Sequence, residues 1–201
     1  GLGTNKQEIK KILDQLLPLL NHVATDLPKI EIMYYAGTHA DHQQMAVTLA
    51  KKHHIKYHLI SPHDPADFTQ AGWLNRAHRQ PQSQIKFHII YHPQIIDANE
   101  LLIRYGFPWA DVFISKPSGD MAYDAALSGS ALLTLKEWGE WEHNVRAVFE
   151  QYGISQKADV EQIVEQILRL SQKQSVRSQQ SEVLTSSVRP IPQLDSPVTD
   201  H

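Results

Sequence analysis

The chain has 201 residues, 41% hydrophobic and 20% charged, with 19 basic and 22 acidic side chains, a formal charge of −3 and no cysteine. That composition suits one globular domain, or one domain with a tail, rather than a disordered chain. It excludes disulfides, a thiol nucleophile, cysteine-ligated metal centres and the basic balance of a nucleic-acid binder. No apolar run approaches the roughly 18 residues of a membrane-spanning helix.

Gly1-Leu2-Gly3-Thr4-Asn5-Lys6 has no apolar core after a basic start and does not read as a signal peptide. Ile9, Ile12, Leu13, Leu16, Leu17 and Leu20 then recur at the spacing of one helix face. Thr4 with Gln7 predicts a capping box at its start, and Pro18 a kink or an early end. Residues 30–35, between Pro28 and Gly37, read as a strand. Asp41 with Gln44 can cap a second helix that buries Met45, Leu49 and Ala50, and residues 56–60 make a short strand.

Residues 61–84 are polar and punctuated by Pro62, Pro65, Gly72 and Pro81. A loop of that length in a compact domain is functional or mobile as a rule. Residues 85–91 predict a strand, 95–105 a helix ending near Gly106, 111–115 a strand and 121–127 a small-residue helix stopping at Gly129. Residues 131–135 give a further strand. Val145, Val148, Phe149 and Tyr152 mark a helix closed by Gly153, and Val160, Ile163, Val164, Ile167 and Leu168 mark the last. From residue 173 onward serines and prolines replace the apolar period, which predicts a disordered tail over 173–201.

Strands alternating with helices define an α/β class: a doubly wound, Rossmann-like, mostly parallel sheet with helices on both faces. Ligands of such sheets sit at the carboxyl ends of the strands, so the turns after strands are where function is sought. Gly1-Leu2-Gly3-Thr4-Asn5 opens directly into a helix, as a phosphate-approaching loop does, yet lacks the third glycine of the dinucleotide fingerprint and equally suits a tight turn. In Ser115-Lys116-Pro117-Ser118-Gly119-Asp120, Ser118 and Gly119 would expose N–H groups at a second helix start, or Ser118 is an ordinary N-cap. Asp124, one turn on, could accept a ribose hydroxyl pair or be a solvated surface acid. The stretch from Lys136 to Asn144 gathers Trp138, Trp141, three carboxylates and His143, a density unusual for a mere connection. The 12 histidines form no recognised ligand set, and no metal is expected.

The segment from Ser115-Lys116-Pro117-Ser118-Gly119 through Asp124-Ala125, then Gly129, Gly139 and Asn144, resembles the nucleotide-sugar-binding half of family 28 glycosyltransferases of the GT-B type. Processive diacylglycerol glucosyltransferases and galactolipid synthases are the members it is most similar to. The resemblance spans residues 1–172, most strongly 111–154. It implies an inverting transferase with a UDP-sugar donor and no cofactor. Gly1, Gly3, Thr4, Ser118, Gly119 and Asp120 would face the donor pyrophosphate, and Asp124 the uridine ribose. The backbone from Pro93 to Ile96, with Ile95 and Ile96, would read the uracil, and Glu140 and Asn144 the donor sugar. Asp124 stands for a glutamate, Met121 for a threonine, Ser118 for a glycine, Ser130 for a proline and Glu140 for a glutamine.

In the family the acceptor site and general base belong to an N-terminal domain, so these residues are expected to bind a donor without transferring it unaided. The resemblance further implies a cytoplasmic protein whose other domain meets a lipid acceptor at a membrane surface. Gly1 then reads as a cut through a phosphate-binding turn, with the first strand of the 1–172 domain missing. Two alternatives stay open: an inactive nucleotide-sugar-binding or regulatory module, which Glu140 and Asp124 permit, and a UDP-sugar epimerase relative, with Glu142 and His143 as an acid/base pair.

Overall fold

A computed structural model of the chain describes residues 5–21, 30–60 and 85–171. Gly1, Gly3, Thr4, the expected loop at 61–84 and the expected tail at 173–201 lie outside the described residues. The protein is α/β, with parallel strands and helices on both faces of the strand layer, as the alternation predicts.

Helix α1 (Lys6–Leu16) turns Ile9, Ile12, Leu13 and Leu16 inward, and a 3-10 turn (Leu17–Asn21) continues the stripe with Leu17 and Leu20. The change of helix type falls at Pro18, whose ring removes an N–H and crowds the carbonyl four residues back. Strand β1 (Ile32–Gly37) is followed by α2 (Ala40–Lys52), β2 (Tyr57–Ile60) and β3 (Phe87–Tyr91). After β3 comes α3 (Ile95–Leu101), which loosens into a π turn (Leu102–Gly106). The second half runs β4 (Val112–Ser115), α4 (Gly119–Leu127), β5 (Ala131–Thr134), α5 (Glu140–Gln151) and β6 (Ser155–Lys157). A 3-10 turn (Val160–Gln162) then leads into α6, residues 163–171.

Among the described residues the strands form two parallel sheets of three, ordered β1-β3-β2 and β4-β5-β6. Alternation along each strand sorts side chains to two faces. On the first, Tyr34 and Ala36 of β1, Phe87 and Ile89 of β3 and Leu133 of β5 pack with α1, α2 and Ile163 and Leu170 of α6. On the second, Ile90 and Leu132, with Met33, Tyr35 and Phe113, pack with Leu101, Leu102, Ala122, Ala125, Val145 and Phe149. Both cores therefore run continuously from one sheet to the other.

Helices α1 and α2 lie side by side and point the same way, being tied at both ends. Lys6 pairs with Asp41 at their starts, and Asp14 takes Lys52 (2.7 Å) and His53 (2.6 Å) at their ends. Those two hydrogen bonds hold the Asp14 carboxyl below its usual range, Lys52 first. The start of α2 differs from the expected Asp41 cap: His39 is the N-cap and Asp41 sits inside the first turn. His42 is buried there, Nδ1 2.8 Å from the Tyr34 hydroxyl, and burial pushes the imidazole down and the phenol up.

His88, in the middle strand β3, is buried against the ring of His58 (5.8 Å) and that of Trp109 (6.5 Å). Burial first, and the His58 charge second, push its imidazole down to about 4. The unfolded chain takes up this proton near pH 6.5 while the native one resists it, so stability present above pH 6.5 falls as pH drops towards 4. Urea unfolding of the wild type should lose on the order of 3 kcal/mol across that window. His88→Gln should remove most of that slope, leaving a remnant from His42 and from the depressed carboxyls of Asp14 and Glu137. An equal slope in the variant would mean that His88 is not the group responsible.

Candidate functional site

Because the strands are parallel, the turns after β1, β3, β4 and β5 open at one edge, and the starts of α2, α3, α4 and α5 gather there. The start of α1 joins them. Asn5 Nδ2 donates to the Lys136 carbonyl (3.3 Å) after β5, and Lys6 reaches Asp41 after β1. Asn5, rather than the expected Thr4, holds the N-cap position of α1, and its side chain is spent across the edge instead of on its own helix. None of Asn5, His39, Gln94 or Ser118 turns a side chain back onto the N–H groups of the helix it precedes. Free donors and positive helix ends therefore collect along one rim, which is an environment for anions.

Two turns on the second sheet are joined into one unit by Lys116. This side chain is 8% exposed, its Nζ lies 3.7 Å from Glu142 Oε2 and 5.5 Å from the centre of the Trp138 ring, and it makes no hydrogen bond among the described residues. A buried ammonium with one long carboxylate contact and an aromatic face retains unused donor capacity. Ser118, expected as a cap or a phosphate-facing residue, is the N-cap of α4 in extended geometry. Gly119 and Asp120 form its first turn, and Asp120 and Asp124 are exposed four residues apart on one face. The buried face of α4 is Ala122 and Ala125, which lets the helix lie close on the sheet.

The stretch from Lys136 to Asn144 is less of a loop than expected. It ends at Gly139, and Glu140 to Asn144 already belong to α5. Gly139 has φ 88, a conformation that glycine adopts freely and other residues rarely do. Glu142 reaches back to the Trp138 amide (2.5 Å), closing the helix start from its third position. Trp138 and Trp141 are left 73% and 70% exposed beside this start.

Glu137 is held down to about 2 by its own backbone amide first, then by Arg146 (2.9 Å) and His143 (3.5 Å). Arg146 also forks onto both oxygens of Glu150 at 2.9 Å. His143 thus contacts Glu137 and Arg146, and among the described residues no side-chain hydrogen bond or ion pair joins it to Glu142, its partner in the epimerase alternative. Glu140 and Asn144 are exposed, and their side chains carry no hydrogen bond or ion pair among the described residues.

The segment from Pro93 to Ile96 follows β3 on the other sheet. Ile95 and Ile96 are exposed there, in the first turn of α3. It shares the edge with the two turns of the second sheet, and no hydrogen bond or ion pair joins it to them among the described residues. Lys116 as a buried cation, Asn5 as a bridge and the Arg146 fork are the site features that sequence reasoning missed. The one available signal was a lysine placed between a strand and a proline. Among the described residues, no cluster of three metal-ligating side chains is present, and no helix is long and apolar enough to cross a membrane.

Comparisons with protein-family models, with curated proteins and with solved structures find no significant match to this chain.

The Lys116–Glu142 contact makes a double-variant cycle informative. Glu142→Ala strands a buried ammonium and frees the Trp138 amide, and should cost about 1–3 kcal/mol in urea unfolding. Lys116→Met keeps the apolar stem and removes the charge, so it should cost under about 1 kcal/mol or stabilise. In the double variant the cost of losing Glu142 should shrink, and full additivity would show that the two groups are not coupled.

Proposed function

We propose that this domain binds a uridine-diphosphate sugar and is the donor half of an inverting glycosyltransferase, completed by an acceptor domain elsewhere. The observation that carries the reading is the paired helix starts of α4 and α5 at one edge, joined by the buried Lys116 ammonium. A diphosphate needs many donors and little steric bulk, and helix N-termini supply both. In the proposed chemistry the bond between the sugar and the diphosphate breaks as the acceptor oxygen attacks from the opposite face. The departing diphosphate gathers negative charge, which the N–H groups of Ser118, Gly119 and Asp120 and the Lys116 ammonium stabilise.

Asp124 serves the ribose, the backbone from Pro93 to Ile96 the uracil, and Glu140 and Asn144 the sugar. Trp138 and Trp141 offer apolar faces on which a sugar ring or base can lie. Gly1, Gly3 and Thr4 would complete the pyrophosphate site. The acceptor, a lipid at a membrane surface in the reading the sequence favours, and the general base belong to the other domain, in a cytoplasmic protein.

Isothermal titration with UDP should show binding in the micromolar to low-millimolar range, and Lys116→Met should weaken it by about tenfold, the equivalent of about 1.4 kcal/mol. A folded sample that shows no heat at millimolar UDP would sink the reading. Glu140→Gln removes a negative charge beside the anionic donor and should strengthen UDP-sugar binding severalfold. Unchanged binding would place the sugar away from α5.

A further inference from the structure

The two faces of the molecule differ in what they show to solvent. Among the described residues 11 large apolar side chains are exposed. Eight of them lie on α3 with its π turn, on α4, or on α5 with its C-cap, and none lies on α1, α2 or α6. The helices of the first face thus bury their apolar stripes, while those of the second keep part of theirs outside. Single exposed apolar residues are ordinary, whereas a contiguous group of them marks an interaction surface.

Four of the eight form such a group. Tyr123 and Leu127 stand one turn apart on α4, and Val148 and the C-cap residue Tyr152 one turn apart at the end of α5, so each pair shares a helix side. The two helices run in the same direction, because they follow neighbouring parallel strands. The Tyr123 ring meets the ring of buried Phe149 edge-on at 4.9 Å, which sets the α4 pair beside the α5 pair. A shallow groove results, floored by Phe149. Leu127 (85% exposed) and Tyr152 (73%) stand out from it, while Tyr123 and Val148 are about half covered.

The charge around this group is one-sided. Helix α4 carries no lysine or arginine, and the one on α5, Arg146, is spent on Glu137 and Glu150. Exposed Asp120 and Asp124 border the group instead. Anionic membrane surfaces attract basic residues and repel such a border, so the groove suits protein rather than lipid. Aromatic side chains with charge kept to the margin are the composition of a protein interface core. At roughly 200 Å² for a whole side chain of this size, the four expose on the order of 500 Å². Interfaces are about 57% apolar, so with its polar rim that core corresponds to about 900 Å² per copy. A stable complex takes about 800 Å² from each partner.

We infer that the groove between α4 and α5 is a two-fold interface between copies of this chain. In such a contact one patch must fit itself, and this one carries both halves of the fit. Leu127 and Tyr152 project, and the hollow over Phe149 receives them from the partner. The patch runs from the middle of α4 and α5 to their last turns, whereas the carboxyl edge lies at their starts, so pairing leaves that edge open. The inference is independent of which ligand binds there.

Sedimentation velocity of the whole chain tests it. The wild type should be a dimer with a dissociation constant of about 1–10 μM. Leu127→Glu and Tyr152→Glu, at exposed positions where folding tolerates a charge, should each weaken it by about 100-fold. Ile103→Glu, on the same face but outside the groove, should leave it unchanged. The melting temperature should rise with protein concentration in the wild type and not in the two groove variants. A wild type that stays monomeric at about 100 μM, well above the expected constant, would overturn the interface. So would a dimer that survives both groove variants, or one that Ile103→Glu breaks as readily. Binding of the monomer to phosphatidylcholine vesicles, lost in Leu127→Glu, would assign the groove to lipid and overturn it as well.

Discussion

Everything at the carboxyl edge depends on α1 spanning both sheets. Its stripe of Ile9, Ile12, Leu13, Leu16, Leu17 and Leu20 is buried in the core that β1, β3 and β5 share. Six such side chains contribute on the order of 10 kcal/mol of hydrophobic stabilisation before ordering costs. The ion pairs beside them are half-exposed, so water and salt screen most of their attraction. Apolar burial thus holds the two sheets together, while Lys6, Asp14 and Asn5 fix where α1 lies against them. A shift of α1 would separate the Lys136 turn from the Asp41 turn, because Asn5 and Lys6 are successive residues reaching opposite sheets.

Much of this was legible in the sequence wherever one periodicity dominated. The α1 stripe, its break at Pro18 and the order of strands and helices through β5 all follow from apolar spacing. Strand β1 lies two residues later than its apolar run suggests. Ala36 and Gly37 have weak strand preference, yet the ladder to β3 carries them, with a bulge before Gly37 meets Tyr91. Strand β6 was invisible because Ser155, Gln156 and Lys157 carry no strand signal at all; the ladder to β5 alone makes them a strand. The small-residue helix begins earlier than its apolar residues because Gly119 and Asp120 form its first turn.

The site divides the same way. Turns after strands could be located from sequence, since topology alone brings them to one edge. The pairings within them could not, because Lys116 with Glu142 and Arg146 with Glu137 join residues 26 and nine apart through a geometry that neither spacing reveals. Nor could sequence separate loop from helix between Lys136 and Asn144, where the decisive feature is the positive φ of Gly139.

Three carboxylates at the start of α5 look hostile to an anionic ligand, and their partners decide whether they are. Glu137 lies against Arg146, His143 and its own amide. Glu142 lies against Lys116 and the Trp138 amide. Each is therefore largely cancelled at the distance of a bound ligand. Among the described residues Glu140 alone of the three has no such partner, and it is exposed, where water and salt reduce a unit charge to about 1 kcal/mol at contact range. Against it stand the uncapped start of α4 and the solvent-facing Lys136. The balance at the edge favours negative charge, and it does so because the acidic residues are occupied by the same contacts that hold the two turns together.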